Sequence, residues 1–256
     1  MTTQAVGIDI GGTGIKGAIV DVATGELLTD RKKLATPSGG KPEDILDTVL
    51  ALFEELGDIG SDTPVGVCFP AVIIQGRTMS AANVSKKWIG LEAEKLFEDK
   101  LGRSIHFVND ADAAGVAEAR YGAAVDAKGL TILTTLGTGI GSAMLYNGEL
   151  IPNSELGHLQ MDGRDAEKLA STSAKEDEDL SWKEWAKRLQ RYYEHLELLF
   201  SPDLILVGGG ISKSSDEFLP LLDLRAPITP AKLRNNAGIV GAAELSTHGN
   251  SERRKM

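Results

Sequence analysis

Three glycine clusters in this chain each follow a run of strand-forming residues. Gly11, Gly12, Gly14 and Gly17 come after residues 6–10, Gly137, Gly139 and Gly141 after LTILTTL at 130–136, and Gly208, Gly209 and Gly210 after LILV at 204–207. A turn without Cβ atoms at a strand end lets main-chain N–H groups approach a phosphate closely. Phosphoryl binding is the chemistry these positions suggest. Three ordinary turns would leave the same trace, because short glycine motifs are weak alone.

Gly12-x-Gly14-x-x-Gly17 has the spacing of a dinucleotide-binding loop, which must open a helix. Here residues 18–22 read AIVDV, a second strand, and TGE at 24–26 is turn-like. No Gly-Lys-Ser/Thr completes a Walker A loop either. What remains is a strand–turn–strand hairpin, and the chain carries it twice. GGTGIKGAIVD at 11–21 aligns with LGTGIGSAMLY at 136–146 at a constant offset of 125. Both copies run on into Gly-Glu-Leu, at 25–27 and 148–150. This reads as an internal duplication with one copy opening each half, against chance identity in a glycine-rich window.

The elements that must hold these turns are helices and strands in alternation. EDILDTVLALFEEL at 43–56 places Ile45, Val49, Leu52, Phe53 and Leu56 on one stripe. Residues 92–101 predict a shorter helix, 104–108 a strand, and 111–121 an alanine-rich helix. Trp182, Trp185, Leu189, Tyr192, Leu196 and Leu199 recur at helical spacing and read as core. A last helix is expected at 237–246, and STSAKEDEDLS at 171–181 as a solvated connection. The expected domains are 1–112, smaller, and 113–244, larger, with a C-terminal piece at 245–256 packing back on the first.

Composition narrows the classes. Of 256 residues, 27 are Lys or Arg and 37 Asp or Glu, a net of −10 that argues against nucleic-acid or anionic-membrane binding. An anionic substrate caught locally by loop amides is still compatible. One cysteine, Cys68, excludes a disulfide framework or a multi-cysteine metal site. No run of about 18 apolar residues and no basic-then-apolar N-terminus occurs, so a cytoplasmic protein is expected.

A hairpin turn carrying Asp, glycines and Thr is similar to the phosphate loops of sugar kinases, actin and heat-shock ATPases. Asp9-x-Gly11-Gly12-Thr13 resembles their first phosphate motif and Leu136-Gly137-Thr138-Gly139 the second. Val207-Gly208-Gly209-Gly210-Ile211-Ser212 resembles the nucleotide-side loop under the adenosine. Val108-Asn109-Asp110-Ala111, Glu155-Leu156-Gly157-His158, residues 165–171 (DAEKLAS) and residues 236–243 (NAGIVGAA) follow in an order that resembles the bacterial ROK family across nearly the whole chain. The resemblance implies an α/β fold of two related ribonuclease-H-like domains, each a mixed five-stranded sheet with helices, facing across a cleft. ROK proteins usually carry a Cys-x-Cys-x-x-x-x-Cys zinc motif after Glu-x-x-His. Gln160-Met161-Asp162-Gly163-Arg164 stands here instead, so no structural zinc is expected. The segments are similar to those of the family's zinc-free polyphosphate-using glucokinases.

The implied activity is transfer of a phosphoryl group from inorganic polyphosphate and/or ATP to the C6 hydroxyl of glucose, or of mannose, by a homodimeric enzyme with Mg²⁺. A strictly ATP-dependent family member acting on another hexose or an N-acylhexosamine is the alternative. The resemblance implies Asp110 as general base, a residue equally placed to cap the following helix. It implies Glu155, His158 and Glu167 as hexose contacts; Asp110, Asn109 and Asn83 are further hexose-binding candidates, the two asparagines being turn-formers otherwise. Gly11, Gly12, Thr13, Gly14, Thr138 and Gly139 fall to phosphate, and Gly208, Gly209 and Gly210 to the nucleotide side. Asp9 would orient Mg²⁺ or its waters, and Lys16 would neutralise phosphate or stand solvated on its strand. Arg77, Lys86 and Lys87 would receive a long polyphosphate chain or form a wet surface.

Overall fold

The computed structural model describes residues 3–82 and 84–248. The chain divides into two compact units, one running to Ala117 and resuming at Asn236, the other spanning Glu118–Asn235.

The first unit opens with the antiparallel hairpin β1 (Gln4–Ile10) and β2 (Gly14–Asp21), followed by β3 (Glu26–Leu27) and β4 (Lys32–Ala35). Helix α1 (Pro42–Glu55), β5 (Val65–Phe69), the small hairpin β6 (Ile73–Ile74) and β7 (Arg77–Thr78), α2 (Ala93–Leu101), β8 (His106–Asn109) and α3 (Asp110–Tyr121) come next. The sheet order is β3-β2-β1-β5-β8, with β5 parallel to both β1 and β8. Strand β5 reads VGVCF and is buried throughout, as suits a central strand covered on both faces. Pro42 starts α1, whose Ile45, Val49 and Leu52 are fully buried against Ile8 and Ile15 in the same core. Within it Trp88 stacks on Phe97 at a centroid distance of 5.9 Å and meets Phe69 at 4.7 Å with the rings tilted.

The second unit repeats the plan. β9 (Leu130–Leu136), β10 (Ile140–Tyr146) and β11 (Glu149–Ile151) form an antiparallel meander. After the hairpin β12 (Gln160–Met161) and β13 (Arg164–Asp165) come α4 (Glu167–Ala170), α5 (Thr172–Asp177) and α6 (Trp182–Phe200). β14 (Leu204–Gly208), α7 (Ser215–Phe218) and β15 (Ile228–Pro230) close the unit, in sheet order β11-β10-β9-β14-β15. Three antiparallel strands followed by two parallel ones is the connectivity of both sheets, which gives the duplication a structural counterpart. On α6, Trp185, Leu189, Tyr192 and Leu196 face the core, and Ser181 with Glu184 forms a capping box at its start.

Helix α8 (Ala237–His248) returns to the first unit. It lies on β1 and β5 with backbone against backbone: a Cβ on Gly7 would fall 1.9 Å from the Ile239 carbonyl oxygen, and one on Gly66 1.8 Å from that of Ala242. Glycine supplies a groove no other residue leaves.

Three expectations change. The first sheet has six strands rather than five, because β3 pairs residues 20–21 of β2 while β4 pairs residues 14–17 of the same edge. The boundaries fall after Ala117 and before Asn236 rather than at 112 and 244, since α8 packs on the first sheet. The charged segment 171–181 is not a bare connection: Thr172–Asp177 is helical, with the Ser171 side chain accepting from Ala174 N. Residues 249–256 of the expected C-terminal piece lie outside the described residues. Among the described residues, no helix is long and apolar enough to cross a membrane.

Candidate active site

In the first unit the β1–β2 turn is closed by Gly11 N–H donating to Gly14 O at 3.1 Å. Thr36 Oγ1 donates to Gly11 O at 2.5 Å and holds the turn from the side. Gly12 and Thr13 form the exposed tip. Asp9, one residue before the end of β1, is the cross-strand partner of Lys16 on β2, and Lys16 Nζ donates to Asp9 Oδ2 at 3.0 Å. Lys16 is therefore paired with Asp9 rather than solvated alone. Cys68, fully buried beside Asp9 on β5, places Sγ 3.7 Å from Asp9 Oδ1 and 3.5 Å from Gly238 O. Burial and the neighbouring carboxylates of Asp9 and Asp110 push this thiol well above its ordinary range, so it stays protonated and unreactive.

At the end of β8 the capping role falls to Asn109. Its Oδ1 accepts the N–H groups of Ala111 at 2.8 Å and Asp112 at 3.0 Å, and its Nδ2 donates to Ala71 O at 3.0 Å. Asn109 is buried, whereas Asp110, the first residue of α3, is partly exposed with Oδ1 accepting from Ala111 N at 2.9 Å. Asn83 lies outside the described residues. Arg77 is engaged by Glu92 at 2.7 Å, and Lys86 and Lys87 are exposed on the short turn that Ser85 caps.

In the second unit the turn between β9 and β10 mirrors the first, with Gly137 N–H donating to Gly139 O at 3.0 Å and Thr138 exposed at its tip. The third glycine cluster sits beside it. β14 runs parallel to β9, and Gly209, at φ 84°, passes so close that a Cβ would fall 2.3 Å from Leu136 O. Both turns thus leave the carboxyl ends of neighbouring parallel strands, where ligands of α/β sheets bind.

The second unit also brings Glu155, His158 and Glu167 together. Gly157 packs on β10 with room for no side chain, its Cβ position being 2.2 Å from Ile140 O. That contact seats the 155–158 turn against the start of β10, next to the β9–β10 turn. Glu167 reaches the same place from α4, with Oε2 3.4 Å from Ile140 N and Oε1 2.9 Å from Lys168 Nζ. His158 Nε2 stands 3.8 Å from Glu155 Oε2. Burial pushes the Glu155 carboxyl up, Glu167 adds to this, and His158 offsets part of it.

Sequence reasoning quotes Asp165 within the 165–171 motif but gives neither it nor the hairpin that carries it a role. Asp165 Oδ2 is 2.9 Å from His158 Nδ1, and Arg191 of α6 grips both oxygens of Asp162 at 2.9 and 2.8 Å. The signal was present: Asp162-Gly163, with φ values of 53° and 74°, is the turn dipeptide of a tight β-hairpin.

Two sheets of one connectivity, each opened by a glycine–threonine hairpin, make this a two-domain protein of the actin-like α/β class. The ROK family model matches residues 5–170, and the chain belongs to the ROK family. It is 48% identical over 248 residues to the polyphosphate glucokinase of Mycobacterium tuberculosis (strain CDC 1551 / Oshkosh), covering 96% of this chain and 92% of that one. The crystal structure of inorganic polyphosphate/ATP-glucomannokinase from Arthrobacter sp. strain KM matches at a TM-score of 0.93 and 52% identity, covering 96% of this chain and 99% of that one. A ROK family glucokinase from Streptomyces griseus, in complex with glucose and AMPPNP, shares the fold at a TM-score of 0.81 and 24% identity, over 96% of this chain and 100% of that one.

Proposed function

We propose that this protein is a sugar kinase that moves a phosphoryl group from inorganic polyphosphate or ATP to the C6 hydroxyl of glucose, with mannose as a second acceptor. The observation that carries this reading is the near full-length match, at 52% identity, to a polyphosphate/ATP-glucomannokinase.

The residue roles follow from what each group offers. Asp110 takes the proton of the C6 hydroxyl as the new O–P bond forms and the donor's O–P bond breaks. The Asn109 cap holds the N–H groups of Ala111 and Asp112 just after it, and Asn109 has one further N–H for a hexose oxygen. Glu155, His158 and Glu167 engage the ring hydroxyls. Main-chain N–H groups of Gly12, Gly14 and Gly139, with the Thr13 and Thr138 hydroxyls, receive the transferred and leaving phosphates, while Gly11, its N–H spent on Gly14 O, closes the loop that presents them. Lys16 offsets phosphate charge while paired with Asp9, and Gly208, Gly209 and Gly210 line the adenosine side when ATP is the donor.

Magnesium prefers hard oxygen donors and keeps several of its waters. A carboxylate at a strand end beside an exposed turn suits it, and Asp9, 15% exposed, is such a group. Asp9 would hold the ion's waters, and the ion, when bound, would draw charge from the phosphate oxygens.

The test supplies protein and Mg²⁺ with glucose or mannose and with either ATP or polyphosphate, and quantifies hexose 6-phosphate. Product with both donors is expected. No product with polyphosphate would contradict the donor assignment, and no product with either would contradict the kinase reading.

A further inference from the structure

We propose that Asp165 is a positioning residue for hexose recognition: it holds the His158 imidazole as the Nδ1–H tautomer and so presents Nε2 as a hydrogen-bond acceptor. The proposal rests on the reading of His158 as a hexose contact.

An ionised carboxylate only accepts hydrogen bonds, so across the 2.9 Å between Asp165 Oδ2 and His158 Nδ1 the ring nitrogen must donate. In a neutral imidazole that leaves the lone pair on Nε2, because the partner of one ring nitrogen decides the state of the other. The other Asp165 oxygen, Oδ1, accepts from Gln160 Nε2, its cross-strand partner. Both carboxylate oxygens are therefore committed to N–H donors. The hairpin beneath them is itself fixed, since Arg191 on the long helix α6 forks onto Asp162 at its tip.

The arrangement sets what the ligand must bring. Nε2 and Glu155 Oε2 stand 3.8 Å apart, too far for a hydrogen bond to each other. Both are acceptors in this state. A pair of neighbouring hydroxyls has two protons to give, one to each. A ring with its proton on Nε2 would make one of those hydroxyls the acceptor and leave that hydroxyl's own proton without its partner.

Asp165→Asn tests this because it keeps the shape but supplies one acceptor where two N–H groups need one. The imidazole should then carry its proton on Nε2. The KM for glucose should rise about tenfold or more, the loss of roughly one hydrogen bond to a polar site, with kcat and the KM for the phosphoryl donor within about twofold. Nitrogen-15 correlation spectra of the imidazoles at about pH 8, above the ordinary histidine range, give the second readout. Wild-type His158 should appear as the Nδ1–H tautomer and the variant as Nε2–H. A wild-type ring protonated on Nε2, or an Asp165→Asn enzyme with the wild-type KM for glucose, would overturn the proposal. The tautomer measurement needs neither turnover nor a variant, so it decides the proposal even if Asp165→Asn folds poorly. Absence of hexose phosphorylation by the wild type would instead overturn the kinase reading.

Discussion

Asn109 caps the helix that Asp110 begins. The carboxamide oxygen of Asn109 takes the N–H groups of Ala111 and Asp112 at 2.8 and 3.0 Å, and its nitrogen ties this corner to the Ala71 carbonyl. Asp110 stands at the first helical position, partly exposed, with Oδ1 sharing the Ala111 N–H at 2.9 Å. Asp110→Asn should lower kcat by about 100-fold or more while the KM for glucose stays within a few-fold, because only proton transfer is removed. Full activity in that variant would contradict the assignment. Asn109→Ala should instead cost about 1–2 kcal/mol of stability through the lost cap, seen in a denaturant titration.

Gly66 and Ala242 touch through their backbones. A methyl group at Gly66 would lie 1.8 Å from the Ala242 oxygen, so Gly66→Ala must push α8 off the sheet. A loss of about 3 kcal/mol or more, or failure to fold, is expected. Gly210→Ala is the control: its Cβ would meet nothing within 4 Å, and stability should be unchanged. Equal denaturation midpoints for the two variants would refute the docking described for α8.

Glu155 makes stability depend on pH. Burial raises its folded pKa above the usual value near 4.5, so across that window the folded chain binds more protons than the unfolded one. Stability contributed by this group is present at low pH, falls as pH rises through the folded pKa, and stays lowered above it. Glu155→Gln cannot ionise, so it should melt higher than wild type at about pH 7.5 and at the same temperature near about pH 4. Identical melting at both values would show that the carboxyl is not desolvated.

Cys68 gives a probe of the Asp9 corner. A thiol that is fully buried and kept protonated by burial and by Asp9 and Asp110 should react with a disulfide reagent far more slowly in the native protein than after denaturation. Because the chain holds one cysteine, the stoichiometry reads directly. Rapid native labelling would contradict the packing around Asp9.

The repeated hairpins, the stripe on α1 and the aromatic face of α6 were legible because each is a local pattern whose period the sequence displays. The place of α8 was not. Its residues follow the second sheet in the chain, and nothing in their own spacing says that Gly7 and Gly66, far upstream, clear a path for Ile239 and Ala242. The sixth strand escaped for a related reason: β3 and β4 share one edge of β2, a matter of pairing rather than of pattern. In the candidate site, Glu155, His158 and Glu167 were readable as a set, and the structure does bring them together. Asp165 was hidden because its part depends on a two-residue strand and a turn, short elements whose pairing alone sets it against His158.

The most direct measurement is phosphorus NMR of inorganic polyphosphate mixed with glucose, Mg²⁺ and the protein. One glucose 6-phosphate should appear for each phosphoanhydride bond lost, with no inorganic phosphate accumulating, and Asp110→Asn should stop the exchange. Polyphosphate left intact, or its breakdown to inorganic phosphate without glucose 6-phosphate, would contradict transfer of the phosphoryl group to the sugar.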